Sequence, residues 1–426
     1  MIGLAQIRQS KLARNMGWML LGQGAVLAMQ AAYFLVIARL LGSAEYGLFV
    51  GATAMIAIFG TFSSLGSGMI LLRYVSTHHS RFPEYWGNAI MSTVVAGLLV
   101  VAIAALGGAS LLHRQVPGLL VMIAVGDCIF NRLTECASQA FQAMERLRVT
   151  AVLAALTSAL RLIAALALWM IRGRTTAPIW AFASMSVSGL VVVAAVIAVT
   201  ANIGRPRFQP RLLVARLGEG LGFSVAFSTT SIYNDIDKAM LTRYGMYAAN
   251  GAYSVAYRII DIACIPVRAL HAAALPSFFR AGAAPGGSAA FAKQVLKGTF
   301  PWGIFAGIAL FMGAPLAVPI LGRSFETTVP ALRWLAVIPV FRTLHLSAGD
   351  AITSGGHQRW RTMSQFGAAA LNFGLNLYLI PRWSWQGAAW ASVATDGALA
   401  AANWSILTWL APQKELREPT AVERAA

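Results

Sequence analysis

Residues 17–38 read GWMLLGQGAVLAMQAAYFLVIA, twenty-two residues without a charged side chain, flanked by Arg14 and Arg39. A helix of about 20 apolar residues matches the roughly 30 Å hydrocarbon core of a bilayer. The run is too long for a signal-peptide core and lacks a convincing small-residue cleavage site. It therefore predicts a retained first membrane span behind the basic start Arg8, Lys11 and Arg14. Apolar runs between charged or Pro/Gly-rich breaks predict eleven more spans, at 46–72, 87–110, 117–141, 149–171, 178–200, 219–242, 250–275, 298–321, 329–351, 363–380 and 386–410. Twelve spans need about 240 residues, which agrees with a chain of 426 residues that is 58% hydrophobic. Only 11% of residues are charged, against roughly 25% in a soluble domain. Composition thus excludes a soluble enzyme, a disordered chain and a nucleic-acid-binding domain, and predicts an all-α integral membrane protein.

The formal charge is +18, and its placement shows what it serves. Seven cations fall inside hydrophobic stretches (Arg132, Arg161, Lys238, Arg258, Arg268, Arg333, Arg342), as do seven acids (Asp127, Glu135, Asp235, Asp237, Asp261, Asp350, Asp396). The excess therefore belongs to the flanks, where Lys and Arg set orientation and meet anionic lipid; no nucleic-acid partner is implied. With the N-terminus inside, cytoplasmic segments carry 19 Lys and Arg and outer loops 7. Both termini are accordingly expected in the cytoplasm. The longest loops, 201–218 and 276–297, are basic, and no large extramembrane domain is expected. Cys128, Cys136 and Cys264 lie in spans and suggest neither a disulfide framework nor a metal site.

The chain also repeats itself. Arg39 followed by Gly47-Leu48-Phe49 aligns with Arg243 followed by Gly251-Ala252-Tyr253 at an offset of 204 residues, with Ala44 and Ala52 on Ala248 and Ala256. An offset of six spans predicts two parallel six-helix lobes related by a pseudo-two-fold along the membrane normal. The expected divisions are 1–200 for the N-terminal lobe, 201–218 for a basic cytoplasmic linker, 219–410 for the C-terminal lobe and 411–426 for a cytoplasmic tail.

Three patches carry a family resemblance: Ala38-Arg39-Leu40-Leu41-Gly42 with Glu45-Tyr46-Gly47-Leu48-Phe49; Asp237-Lys238-Ala239-Met240-Leu241 with Gly251-Ala252-Tyr253-Ser254-Val255-Ala256-Tyr257-Arg258; and Asn372-Phe373-Gly374-Leu375-Asn376-Leu377-Tyr378-Leu379-Ile380-Pro381 with Gly387-Ala388-Ala389-Trp390-Ala391. In this order they resemble the polysaccharide-biosynthesis flippases, including the O-antigen (Wzx-type) members, of the multidrug/oligosaccharidyl-lipid/polysaccharide exporter superfamily. The resemblance implies two lobes around a central cavity that opens alternately to each side of the bacterial inner membrane. It implies as substrate an undecaprenyl-pyrophosphate-linked oligosaccharide, an O-antigen or exopolysaccharide repeat unit, with membrane lipids, a polysaccharide polymerase and chain-length proteins as partners. Lipid II flippases of this superfamily carry two further helices, so a twelve-span chain points away from that substrate.

Intramembrane ionisable residues cost about 2.5–3.5 kcal/mol each unless they pair or face water, and they are the candidate site. In span 8, Arg258, Asp261 and Arg268 share one helical face. Arg258 and Asp261, three residues apart, are expected to pair, and Arg268 has no acid partner on its own helix. The planar guanidinium suits phosphate oxygens, which makes Arg258 and Arg268 the first candidates for the head group, with a structural inter-span salt bridge as the competing reading. Pro266 is expected to bend this span. Lys238 is a second phosphate candidate. Asp237, Asp235 or Asp261 could bind a coupling proton or Na+, and Asp237 could equally neutralise Lys238 or Arg258; no other cofactor is implied. Asp127, Asn131 and Glu135 at i, i+4, i+8 form a stripe that reads as a wet cavity wall or a closed ion-paired face. Arg39 and Arg73, at span ends, are candidates for recruiting an anionic head group as well as interfacial anchors. The tryptophans near span ends (Trp360, Trp383, Trp385, Trp409) fit an aromatic belt better than sugar stacking. His345, near Asp350, reads as a structural polar residue.

Two other functions compete. A multidrug exporter of the same superfamily would take cations, which Arg268 and Lys238 disfavour. A polytopic glycosyltransferase or polymerase could use Asp235-Ile236-Asp237 as a metal-binding Asp-x-Asp pair, yet the pair lies in mid-span. The absence of a G-x-x-x-x-G-K-[ST] loop excludes an ATPase of that type within the chain.

Overall fold

The computed structural model describes the backbone of residues 2–112, 116, 118–171, 173–283 and 286–415, and side chains for 24, 26–107, 112, 116, 118–171, 173–225, 228, 232–283 and 286–410. The side chains of Arg8, Lys11 and Arg14, and those of the 411–426 tail, lie outside these ranges. Among the described residues every regular element is helical. A backbone in hydrocarbon must satisfy its own N–H and C=O groups, and a helix does so within one segment.

In chain order the elements are α1 (Ile2–Gly60), α2 (Ser67–Val75), α3 (Phe82–Leu111), α4 (Leu119–Ala124), a π-turn (Val125–Asn131), α5 (Arg132–Ala143), α6 (Leu147–Met170), α7 (Ala177–Asn202), α8 (Pro210–Arg243), α9 (Tyr247–Ala263), α10 (Ile265–Gly282), α11 (Gly287–Gly313), α12 (Ala317–Leu321), α13 (Thr328–Leu335), α14 (Ile338–Ser354) and α15 (Gln358–Glu415). Among the described residues the expected spans fall largely on helix, with turns at 61–66 in span 2 and 336–337 in span 10. Gly42 (φ 68°, ψ 174°) breaks α1 into spans 1 and 2, and Ser384 (φ 53°, ψ −133°) breaks α15 into spans 11 and 12. Among the described residues six stretches are individually long and apolar enough to cross a membrane, and α9 with α10, bent by 44°, make a seventh if the pair is one span. The remainder are interrupted by polar side chains such as Asn234–Lys238 on α8 and Asn372, Asn376, Asp396 and Asn403 on α15. Large apolar side chains point outward along the spans, among them Leu99 (63% exposed), Ile163 (60%) and Phe305 (60%). Patches of that extent on an unpartnered helix mark a lipid-facing surface. The protein is a multi-pass membrane protein.

The chain forms two compact units, residues 1–248 and 249–426. The boundary lies after α8, not in the 201–218 segment expected to be the linker. The reason is local packing. The Arg207 N–H donates to the Pro83 carbonyl at 2.7 Å, and Asn88 and Gln209 exchange hydrogen bonds of 3.1 and 2.9 Å. Farther along α8, Thr242 Oγ1 donates to the Gly47 carbonyl at 3.4 Å. Gly66 (φ +65°) and Gly220 let the backbones of α2 and α8 touch: a Cβ at Gly66 would stand 2.2 Å from the Gly220 oxygen, and one at Gly220 would stand 2.2 Å from the Leu65 oxygen. Helices in lipid associate by such close approach of small residues.

The family-like patches are built into this packing. The Glu45 carboxylate accepts the Ala177 N–H at the start of α7 at 2.8 Å, where an anion meets the positive helix end. Tyr46 meets Phe34 edge-to-face, and Leu48 is fully buried.

The Gly66–Gly220 contact predicts that Gly220→Ala forces the helices apart and costs about 1–3 kcal/mol, the usual cost of overpacking. Gly218→Ala is the control, since a Cβ there meets nothing within 4 Å. Thermal unfolding in detergent should separate the two variants; equal midpoints would contradict the contact.

Candidate functional site

The densest charge in the second unit gathers where α9 meets α10. Pro266 occupies the first turn of α10 and cannot supply the N–H that a continuous helix requires there, so the span bends by 44° at Cys264. This is the bend expected from the sequence. Side chains engage carbonyls around it: Trp302 Nε1 donates to Ala263 O at 3.1 Å, and Arg268 Nη2 donates to Asp261 O at 2.8 Å.

The bend also rearranges the expected ion pairs. Asp261 does not pair with Arg258. Its carboxylate lies 2.5 Å from Arg342 Nη1, which arrives from α14, and 3.7 Å from Arg268 Nη1. Arg268, expected to lack an acid on its own span, is therefore bridged to Asp261, because the bend between them brings residue 268 back towards residue 261. Arg342 is the inner partner, with its side chain 14% exposed against 47% for Arg268. The charge of Asp396 on α15 also reaches Arg342. Arg258 is exposed and forms no ion pair among the described residues. It lies just beyond a stretch that is packed away: Gly251 to Ala256 are buried, with Tyr253 hydrogen-bonded to Ser392 at 2.9 Å and Thr328 donating to the Ala252 carbonyl at 3.2 Å.

In the first unit, Lys238 on α8 pairs with Asp235 at 2.9 Å and donates to the Asn234 carbonyl at 2.6 Å. Asp237 is buried, 3% exposed, and accepts the Lys238 backbone N–H at 2.7 Å. Of the expected stripe, Asn131 donates to Asp127 at 2.8 Å within the π-turn, and both side chains are half-buried. Glu135 is left exposed and bound to Arg132 at 2.8 Å. Arg161 on α6 adds a nearby positive charge to Asp127 and contacts Ser188 at 3.3 Å.

Both span-end arginines are exposed, Arg39 at the end of the first rod of α1 and Arg73 on α2. Arg73 pairs with Glu219 at 2.7 Å, and Tyr74 donates to the other oxygen of Glu219 at 3.0 Å. Arg216 lies over the Tyr74 ring at 4.3 Å. The Glu219 carboxylate holds the Tyr74 phenol above its ordinary range. Arg73 thereby ties α2 to α8 as well as facing water.

A cluster that local sequence spacing does not assemble lies in the second unit. Asp350 pairs with His271 at 2.8 Å and with Arg361 at 3.2 Å, not with His345. His345 is five residues from Asp350 on the same helix, and Asn403 binds its carbonyl at 3.2 Å. Among the described residues no group of three or more His, Cys, Asp or Glu side chains could hold a metal. Trp360 meets Trp409 edge-to-face at 5.3 Å and Trp383 meets Trp390 at 5.7 Å, as in paired belt residues.

Solved structures share this fold. An inward-facing multidrug resistance MATE family transporter of the MOP superfamily is similar at a TM-score of 0.73 and 13% identity, over 93% of this chain and 99% of that one. The lipid II flippase MurJ in an inward closed conformation is similar at 0.69 and 10%, over 93% and 91%. A MOP superfamily transporter from Pyrococcus furiosus is similar at 0.61 and 13%, over 95% and 96%. No curated protein sequence matches. The sequence profile described as "Polysaccharide biosynthesis protein" matches residues 12–281, more than half of the chain, and the chain belongs to that family.

Proposed function

We propose that the protein flips an undecaprenyl-pyrophosphate-linked oligosaccharide, the repeat unit of an O-antigen or exopolysaccharide, from the cytoplasmic to the periplasmic leaflet of a bacterial inner membrane by alternating access. One observation carries the reading: Arg258 stands exposed on a membrane-span helix with no ion pair among the described residues. An unpaired guanidinium facing hydrocarbon costs about 2.5–3.5 kcal/mol, so its place is a wet path that an anion travels. Pyrophosphate offers that anion, with oxygens that match the guanidinium fork. Family membership supports a lipid-linked saccharide as the cargo.

Arg268 adds to this through the carboxylate it shares. A phosphate that draws Arg268 away from Asp261 leaves Asp261 still bonded to Arg342 at 2.5 Å. The head group can thus recruit a second cation while Asp261 keeps a counter-ion. Within the first unit, Lys238, held by Asp235, and Arg39 and Arg73, at span ends, are the proposed head-group contacts. Asp235, Asp237 and Asp261 are the proposed carboxylates for a coupling ion: Asp235 and Asp261 lie against cations, and Asp237 is buried on α8. A multidrug exporter has the same fold among its relatives, but Arg258 repels cationic drugs.

In proteoliposomes, Arg258→Ala is expected to lower flipping of radiolabelled lipid-linked sugar at least tenfold with unchanged abundance. Wild-type flipping by that variant, or rhodamine uptake in place of lipid-linked sugar, would overturn the proposal. The shared carboxylate gives a second expectation. Asp261→Ala removes one of the two acids near Arg342 and destabilises the fold by about 1 kcal/mol, the upper end for a partly exposed pair, and Asp261→Ala with Arg342→Leu recovers much of that loss. Thermal unfolding of the single and double variants measures it; strictly additive losses would contradict the pairing.

A further inference from the structure

His271 on α10 is buried, 4% exposed, and stacks on Phe278 at 6.3 Å. Its Nδ1 lies 2.8 Å from Oδ2 of Asp350 on α14, while Oδ1 of Asp350 accepts a 3.2 Å hydrogen bond from Nη1 of Arg361 on α15. That nitrogen also donates to Thr353 Oγ1 at 2.8 Å. Gly349 leaves room for the arrangement, since a Cβ there would stand 3.2 Å from Arg361 Nε and 3.4 Å from its Cζ. Three helices therefore converge on one carboxylate whose side chain is 10% exposed.

The second ring nitrogen decides what the cluster can do. His271 Nε2 lies 3.4 Å from Ser347 Oγ, and Ser347 Oγ lies 2.8 Å from the Thr343 carbonyl. A hydroxyl has one proton to give and can accept as well. While Ser347 donates to Thr343, its oxygen can only accept from Nε2–H; Nδ1–H donates to the ionised Asp350, and the ring is an imidazolium. When the hydroxyl turns its proton to Nε2, the ring is neutral and keeps the Nδ1–H bond. A single rotor thus lets the site hold or release a proton with no change in backbone.

Other charged groups bound the site. From α14 come Asp350 and, within electrostatic range of His271, His345, with Arg342 beyond it. From α15 comes Arg361. The facing helix α11 contributes Phe291 against Phe278, at 4.8 Å, and its Lys293 and Lys297 are exposed. With a neutral imidazole, Asp350 and Arg361 balance. A bound proton makes His271 and Arg361 compete for one carboxylate, and Arg361, 22% exposed, has Thr353 to fall back on.

We propose that His271, with Asp350 and Ser347, is a reversible proton-binding site of the second unit, which controls how firmly Arg361 ties α15 to α14. This deepens the transport reading by adding a pH response, and it rests on that reading only for its effect on flipping. The test uses the full chain in lipid nanodiscs with isotopically labelled histidine, of which there are six. One set of ring resonances, lost in His271→Gln and again in His271→Asn, is expected to shift reversibly as the pH is scanned from about 5 to 8. Its midpoint is expected to fall by about one pH unit or more in Asp350→Asn, which removes the anion facing the imidazolium. In proteoliposomes with equal pH on both sides, His271→Gln should flatten the pH dependence of flipping at least threefold. A His271 signal that stays constant across that range, or an unmoved midpoint in Asp350→Asn, would overturn the proposal. A titrating His271 in a protein that flips no lipid-linked sugar would uphold the proton site and remove the cargo reading.

Discussion

An ion inside a membrane span must find a counter-ion, a backbone dipole or water, and most of this structure can be read as the result. Lys238 reaches back to Asp235, Arg132 forward to Glu135, and Arg361 and His271 close on Asp350 from two other helices. Asp261 serves two arginines at once. Each pairing fixes a helix rotation or a helix–helix register, so charge sets the packing that apolar surface, equally content with lipid, leaves undetermined. Against this background Arg258 stands out, because it occupies a span and lies exposed without an acid among the described residues.

The family-like patches contribute packing more than chemistry. Glu45 closes the start of α7, Leu48 fills the core, and the run from Gly251 to Ala256 is buried before the helix turns Arg258 outward. Gly387 lies so close to the Leu379 carbonyl that a Cβ would stand 2.5 Å from it, just past the break at Ser384. The two connections aligned by the repeat also turn alike, on Gly42 (φ 68°) and Gly245 (φ 73°). A left-handed turn that costs glycine little is strained for other residues. The patches therefore hold the breaks between spans in place, and the cations sit beside them.

Apolar runs between charged or Pro/Gly-rich breaks marked the spans, because hydrocarbon thickness sets their length, although hydropathy alone picks out only six or seven of them; Pro266 marked the bend because its ring removes a donor. Partners were harder to read. Helical spacing paired Arg258 with Asp261, but the bend and the approach of Arg342, 81 residues away, gave Asp261 to other arginines. His271 and Asp350 are 79 residues apart, and no local pattern joins them. The π-turn at Val125–Asn131 has no mark in the sequence. The unit boundary moved past α8 because Gly66 and Gly220 meet backbone to backbone, a contact that neither glycine announces by itself.

If a lone arginine on α9 exists to greet a diphosphate, affinity should follow the phosphate count and that side chain. Native mass spectrometry of the purified protein with undecaprenyl pyrophosphate and undecaprenyl monophosphate measures both directly. The account predicts that the diphosphate is retained at least tenfold better than the monophosphate, and that Arg258→Ala abolishes the difference. Equal retention of the two lipids by the wild-type protein would contradict it.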